Sequence, residues 1–149
     1  MTNTEHETLL RRYADLLQTL TPDRVDQMLQ LLAEDVEFKD PFNHTTSKAG
    51  YRAVMMDMFA SLDNIQFRVK QIDATPTGGY LIWEFSAFSN ITKAIHAEGV
   101  SHILINAEGK ISHHQDYWDG SRIMDGIPLL GRIVKSVRNK AGQIEKEST

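Results

Sequence analysis

The chain is predicted to fold as one α+β domain, a cone-shaped curved antiparallel sheet wrapped around N-terminal helices with an extra helix at the C-terminus. Three observations predict it. The first is length: 149 residues fit one hydrophobic core and leave little area for a second. The second is a change of period. Apolar residues recur at spacings of three and four as far as Leu62, interrupted by one short alternating stretch, and from Ile65 onward the pattern becomes strand-like. The third is order, since helical segments followed by a run of strands segregate the two structures instead of alternating them. Residues 1–140 are read as a single domain, with the terminal helix at about 122–140 and residues 141–149 as a flexible tail.

Leu9, Leu10, Tyr13, Ala14, Leu16, Leu17 and Leu20 make one apolar stripe on a first helix. Thr21-Pro22-Asp23 supplies an N-cap hydroxyl and a proline at the first helical position, so Val25, Met28, Leu29 and Leu32 read as a second amphipathic helix. Val36, Phe38 and Asp40 then alternate with Glu37 and Lys39 in a short strand that ends at Pro41. Thr45, Thr46 and Ser47 offer caps for a third helix, whose buried stripe is Tyr51, Val54, Met55, Met58, Phe59 and Leu62. Ile65–Ile72, Tyr80–Phe88, Ile95–Ile105 and Lys110–Asp119 are rich in β-branched and aromatic residues. Turns as short as Pro76-Thr77-Gly78-Gly79 and Asn106-Ala107-Glu108-Gly109 predict antiparallel pairing between them. Leu129, Leu130, Ile133, Val134 and Val137 oppose Arg132, Lys135, Arg138 and Lys140 over 128–140, the pattern of a terminal amphipathic helix that packs on its own domain or a second subunit. A membrane-surface helix has the same look and is the less expected reading.

Composition narrows the function classes. The chain has no cysteine, which excludes disulfides and thiolate chemistry, and no apolar stretch or leader suited to a membrane or to export is read in it, so the expected location is the cytoplasm. The net charge is −4, and residues 121–149 hold six Lys or Arg against three Asp or Glu, so the tail carries +3 and the remainder −7. An acidic body lacks the basic face that nucleic acid requires. His113 and His114 point to opposite faces of a strand, and His96 and His102 stand about 20 Å apart along another, so no metal site is expected. Neither a glycine-rich phosphate loop nor a nucleophile elbow around Ser101 is present.

Candidate chemistry falls at a few positions. Strand alternation puts Asp40 beside Val36 and Phe38, and a carboxylate held out of water becomes more basic, which suits proton abstraction beside a carbonyl. The same residue could instead begin the turn through Pro41-Phe42-Asn43. Tyr13 lies on the apolar stripe of the first helix, either as an oxyanion donor or as a core tyrosine bonded to a backbone carbonyl. The last strand places Ser112, His114, Asp116 and Trp118 on one face and Ile111, His113, Gln115 and Tyr117 on the other, and the first set makes a plausible pocket wall with acid–base capacity.

Arg12-Tyr13, Ala33-Glu34-Asp35, Glu37-Phe38-Lys39-Asp40-Pro41-Phe42, Gly50, Gly109-Lys110-Ile111 and Tyr117-Trp118 resemble the ketosteroid isomerases in the same order over residues 8–120. His114-Gln115-Asp116-Tyr117-Trp118-Asp119 and the Pro-Leu-Leu-Gly that follows look like the wider SnoaL-like branch of the nuclear-transport-factor-2-like superfamily. The resemblance implies a conical α+β barrel with a deep hydrophobic cavity, a small hydrophobic ligand, a homodimer formed through the outer face of the sheet, and no cofactor. It implies Asp40 as the general base and Tyr13 as the donor to the dienolate oxygen, with Ser101 where the isomerases carry a protonated aspartic acid. The cyclases of the branch point instead to Asp116 as the acid–base residue, and in either case Tyr13, helped by Ser101 or His114, is expected to stabilise the developing enolate. Phe38, Phe42, Met55, Met58, Phe59, Trp83 and Trp118 are the candidate substrate-binding residues. The expected function is therefore an isomerase or cyclase that moves a proton next to a carbonyl. A noncatalytic ligand-binding or dimerisation module is the alternative, because this fold hosts both.

Overall fold

A computed structural model describes residues 1–121. Helix α1 spans Asn3–Gln18 and begins with a capping box, in which Thr2 accepts from the Glu5 amide while the Glu5 carboxylate accepts from the Thr2 amide. Leu10, Tyr13, Ala14 and Leu16 face the core. The second helical segment is shorter than the periodicity suggests. A 3₁₀ turn, Pro22–Arg24, leads into α2, Val25–Leu29, and the Thr21 hydroxyl makes no cap hydrogen bond. Leu32 is instead the buried first residue of β1, Leu32–Lys39, while Val25 and Met28 are the buried residues of the short helix.

β1 ends one residue before Asp40, and a two-residue strand, β2 (His44–Thr45), folds back on it. Thr45 therefore belongs to the sheet, and Ser47 alone caps α3, Lys48–Ser61, by accepting from the Gly50 amide at 3.0 Å. Three long strands follow, β3 (Asp63–Thr75), β4 (Gly78–Ser89) and β5 (Lys93–Ile105), and then β6 (Ile111–Tyr117). Both glycines of Pro76-Thr77-Gly78-Gly79 enter β4, leaving Pro76-Thr77 as the turn. Gly109 closes the β5–β6 turn at φ +77°, a conformation that a side chain disfavours.

The sheet runs β2-β1-β6-β5-β4-β3 and does not close. The turn-joined strands pair antiparallel, as do β1 and β2, while β1 and β6 are parallel, so the sheet is mixed. Short turns dictate antiparallel neighbours, but nothing in a turn specifies the pairing of strands some seventy residues apart. The curved sheet wraps α1, which lies against β3 and β4, and α3, which lies against β1. Leu10, Tyr13, Met28, Val36, Phe38, Leu81, Ile103 and Ile111 form the centre of the core between them. The predicted terminal helix at about 122–140 and the tail at 141–149 lie outside the described residues.

Candidate functional site

The helices do not fill the inner face of the sheet. Between α3, the end of α1 and the strands lies a cavity of about 350 Å³. All seven residues singled out as wall candidates, Phe38, Phe42, Met55, Met58, Phe59, Trp83 and Trp118, line it. Their spacing explains why. Tyr51, Met55, Met58 and Phe59 share one side of α3, and Phe38, Trp83 and Trp118 come from strands β1 and β4 and from just beyond β6. Gly99 on β5 leaves room for the Trp83 ring, since a Cβ there would stand 2.6 Å from it.

Two of the predicted carboxylates reach the cavity in different ways. Asp40 lines it but is only half-buried, and its Oδ1 accepts from the amides of Phe42 and Asn43, both at 2.7 Å. The Asn43 side-chain amide donates to both oxygens at 3.1 Å. Asp40 thus organises the turn after β1, the simpler of the two readings of Asp before Pro, while keeping an edge on the cavity. Asp116 is more enclosed, with 18% of its side chain exposed.

Asp116 also ends a continuous chain of hydrogen bonds. Trp83 Nε1, which can only donate, gives its hydrogen to Ser101 Oγ at 2.8 Å, so the Ser101 hydroxyl donates onward to Asp116 Oδ1 at 2.5 Å. From the other side His114 Nε2 donates to the same oxygen at 2.7 Å. In the neutral imidazole Nδ1 is then an acceptor, and Tyr13 donates to it at 2.7 Å. Tyr51 completes the chain through its hydroxyl contact with Tyr13. Every donor points toward one carboxylate. Ser101 and Tyr13 are fully buried behind the wall, whereas His114, Asp116 and the Tyr51 ring line it.

Burial raises the Tyr13 phenol well above its ordinary value, and the neighbouring Tyr51 and the Asp116 charge push the same way. Burial likewise raises Tyr51, opposed by its bond with Tyr13 and reinforced by Asp116. Both phenols therefore stay protonated, as donors rather than bases. Their placement in depth differs from the resemblance, because the Tyr13 hydroxyl supports His114 from behind and is not part of the cavity wall. Tyr51 and the Trp83 N–H are parts of the network that sequence reasoning took only as apolar surface. The available signal was a tyrosine on a buried helical stripe, which needs a partner for its hydroxyl.

The last strand departs from strict alternation. Ile111 and His114 are both buried, because the β5–β6 register shifts between Leu104 and Ile105. Ser112 accordingly does not join His114 in the wall, and its hydroxyl donates to the Leu104 carbonyl at 3.4 Å. Among the described residues no three His, Asp or Glu side chains are grouped to hold a metal ion.

The fold, helices packed against a curved, unclosed mixed sheet, matches a known class. The SnoaL-like domain family matches residues 10–114, and the chain belongs to it. No curated protein sequence matches the chain. Solved structures show the same fold at low identity. A hypothetical protein with a ketosteroid isomerase-like fold from Catenulispora acidiphila DSM 44928, in complex with trimethylamine, superposes with a TM-score of 0.68 at 14% identity, covering 80% of this chain and 93% of that one. An NTF2-like protein of unknown function from Exiguobacterium sp. 255-15 gives 0.65 at 18% identity over 75% and 98% of the two chains. A candidate SnoaL-like polyketide cyclase from Shewanella denitrificans OS-217 gives 0.67 at 13% identity over 81% and 95%.

Proposed function

We propose that the protein is an acid–base catalyst of the isomerase or cyclase type, acting on a small hydrophobic molecule by proton transfer next to a carbonyl. The observation that carries this reading is the convergence of Ser101, His114 and, through His114, Tyr13 on Oδ1 of a single cavity-lining carboxylate, Asp116. Oδ2 makes no hydrogen bond to a described residue, so it is the oxygen available to take a proton from carbon. The C–H electron pair moves toward the carbonyl oxygen, and the same carboxyl returns the proton at a second carbon. His114 holds the carboxylate in place, and the two tyrosines fix the imidazole. Asp40, half-buried and bound by Asn43, serves better to shape the mouth than to move the proton.

The test is deuterium exchange into a panel of hydrophobic cyclic ketones and aromatic polyketides that raise the protein's melting temperature, followed by NMR. Wild type should exchange the α-hydrogens of at least one of them, Asp116→Asn should lose about 10²-fold or more of that rate, and Asp40→Asn should lose far less. Ligands that bind without any exchange would leave a noncatalytic binding module as the function.

A further inference from the structure

The hydrogen-bond chain that ends on Asp116 uses up its own donors and leaves a carboxylate facing the cavity. The hydrogens of Trp83 Nε1, Ser101 Oγ and His114 Nε2 are already committed within it, and Asn43 Nδ2 donates to Asp40, so the donors left on the lining are neutral side chains, among them Gln18, Asn43 and Ser61. Asp116 carries both of its bonds on Oδ1. Asp40 and Asp57 add two more carboxylates to the lining, and no Lys or Arg is among the described residues that line it.

The rest of the wall is aromatic and thioether surface. Phe42 and Trp118 meet edge to face at 5.6 Å and 76°, forming a corner beside Asp40, and the Trp83 ring packs against Phe67 deeper in, at 5.1 Å. A neutral apolar ligand would fill this space but strip water from Asp116 without replacing it. An anion would meet like charge. An alkylated ammonium satisfies both parts, because its positive charge pairs with the carboxylate while its methyl or methylene groups lie on ring faces.

We propose that the cavity selects a hydrophobic amine, protonated or quaternary, with the cationic nitrogen held between the Asp116 carboxylate and the aromatic wall. This deepens the acid–base reading and rests on it only in assigning the amine to the substrate. A substrate ammonium would also place a positive charge beside the developing enolate, where no Lys or Arg stands among the described lining residues.

Both tryptophans of the chain line the cavity, so ligand entry is read by their fluorescence. Wild type is titrated with benzyltrimethylammonium and with neopentylbenzene, which has the same shape without the charge. The cation should bind at least about tenfold more tightly and should be displaced by the neutral compound. Asp116→Asn should weaken the cation alone and bring the two affinities together. Phe42→Ala, which removes a half-exposed ring, should weaken the cation several-fold without unfolding the protein. Equal or tighter binding of neopentylbenzene to wild type, or no saturable response to the cation, overturns the proposal, and neither result depends on a variant. Ammonium preference in a protein that exchanges no carbon-bound hydrogen supports this proposal while removing the previous one. Exchange of neutral ketones with no ammonium preference does the reverse.

Discussion

His113 and His114 are neighbours on β6, yet they belong to two different chemical environments. His114 turns inward, is 3% exposed, and bridges Tyr13 and Asp116 beneath the cavity. His113 turns outward and pairs at 2.8 Å with Glu37 on β1, beside His102 on β5, whose ring stacks on Tyr80 of β4 at 4.9 Å. Glu37 also pairs with His44 at 3.1 Å, so the outer face carries a row of four polar rings and one carboxylate across five strands. The outer ion pairs keep water beside them, which screens their charge and makes each bond replaceable. The inner chain meets water only where Asp116 and His114 line the cavity, so losing one of its buried members leaves its neighbours unsatisfied. What separates the two histidines is not residue type but which side of one pleat each occupies.

The largest expected effect tests that difference directly. His114→Ala should destabilise the fold by about 2–4 kcal/mol, because it leaves the buried Tyr13 hydroxyl with Tyr51 as its one remaining partner, removes a donor from a half-buried carboxylate and empties a buried ring site. His113→Ala should cost much less, since Glu37 keeps His44 and is open to solvent. Urea unfolding of the two variants decides it. Equal losses would mean that the outer row is as tightly coupled as the inner chain.

Alkaline pH should sharpen the contrast next. Tyr13 and Tyr51 hold their protons more tightly folded than unfolded. Below the ordinary phenol value of about 10 both states keep the proton and stability is unaffected. Above it the unfolded chain releases protons that the folded chain retains, so stability should fall by up to about 1.4 kcal/mol per pH unit for each buried tyrosine. Tyr51→Phe should halve the slope. A flat urea midpoint between pH 10 and 12 would show that the pair is not held protonated by burial.

The sequence made the inside easier to read than its wiring. Period alone placed Tyr13 on a buried stripe, Met55 and Phe59 on the cavity side of α3, and Asp116 in step with His114, because helix and strand geometry fix which residues share a face. It could not show that Ile111 and His114 are both buried, since that follows from a shift in β5–β6 pairing, and pairing is a long-range property. The parallel β1–β6 contact escaped for the same reason. Asp40 satisfied two local patterns at once, and only the donors gathered around it show that the turn captures most of its hydrogen-bonding capacity. The depth of Tyr13 relative to Tyr51 was equally invisible, because both residues lie on apolar stripes and only packing decides which ring meets the cavity.

The smallest expected effect lies on the outer face, at His102. Partial burial lowers its pKa first, and the charge of His113, 5.6 Å away between ring centres, lowers it further. Tyr80 covers its other side, and Glu37 lies beyond His113, where it attracts the His113 cation and is itself held below the usual carboxylate range by His44 and His113. An NMR titration should find His102 protonating below the ordinary histidine value of about 6.5. Its contribution to stability is then complete above that value and declines as pH falls through the folded one. His113→Gln should raise the His102 value only part of the way, because burial is the larger cause and remains. Complete recovery would make the outer row an electrostatic device, and no change at all would make it a packing arrangement with its charges already screened by water.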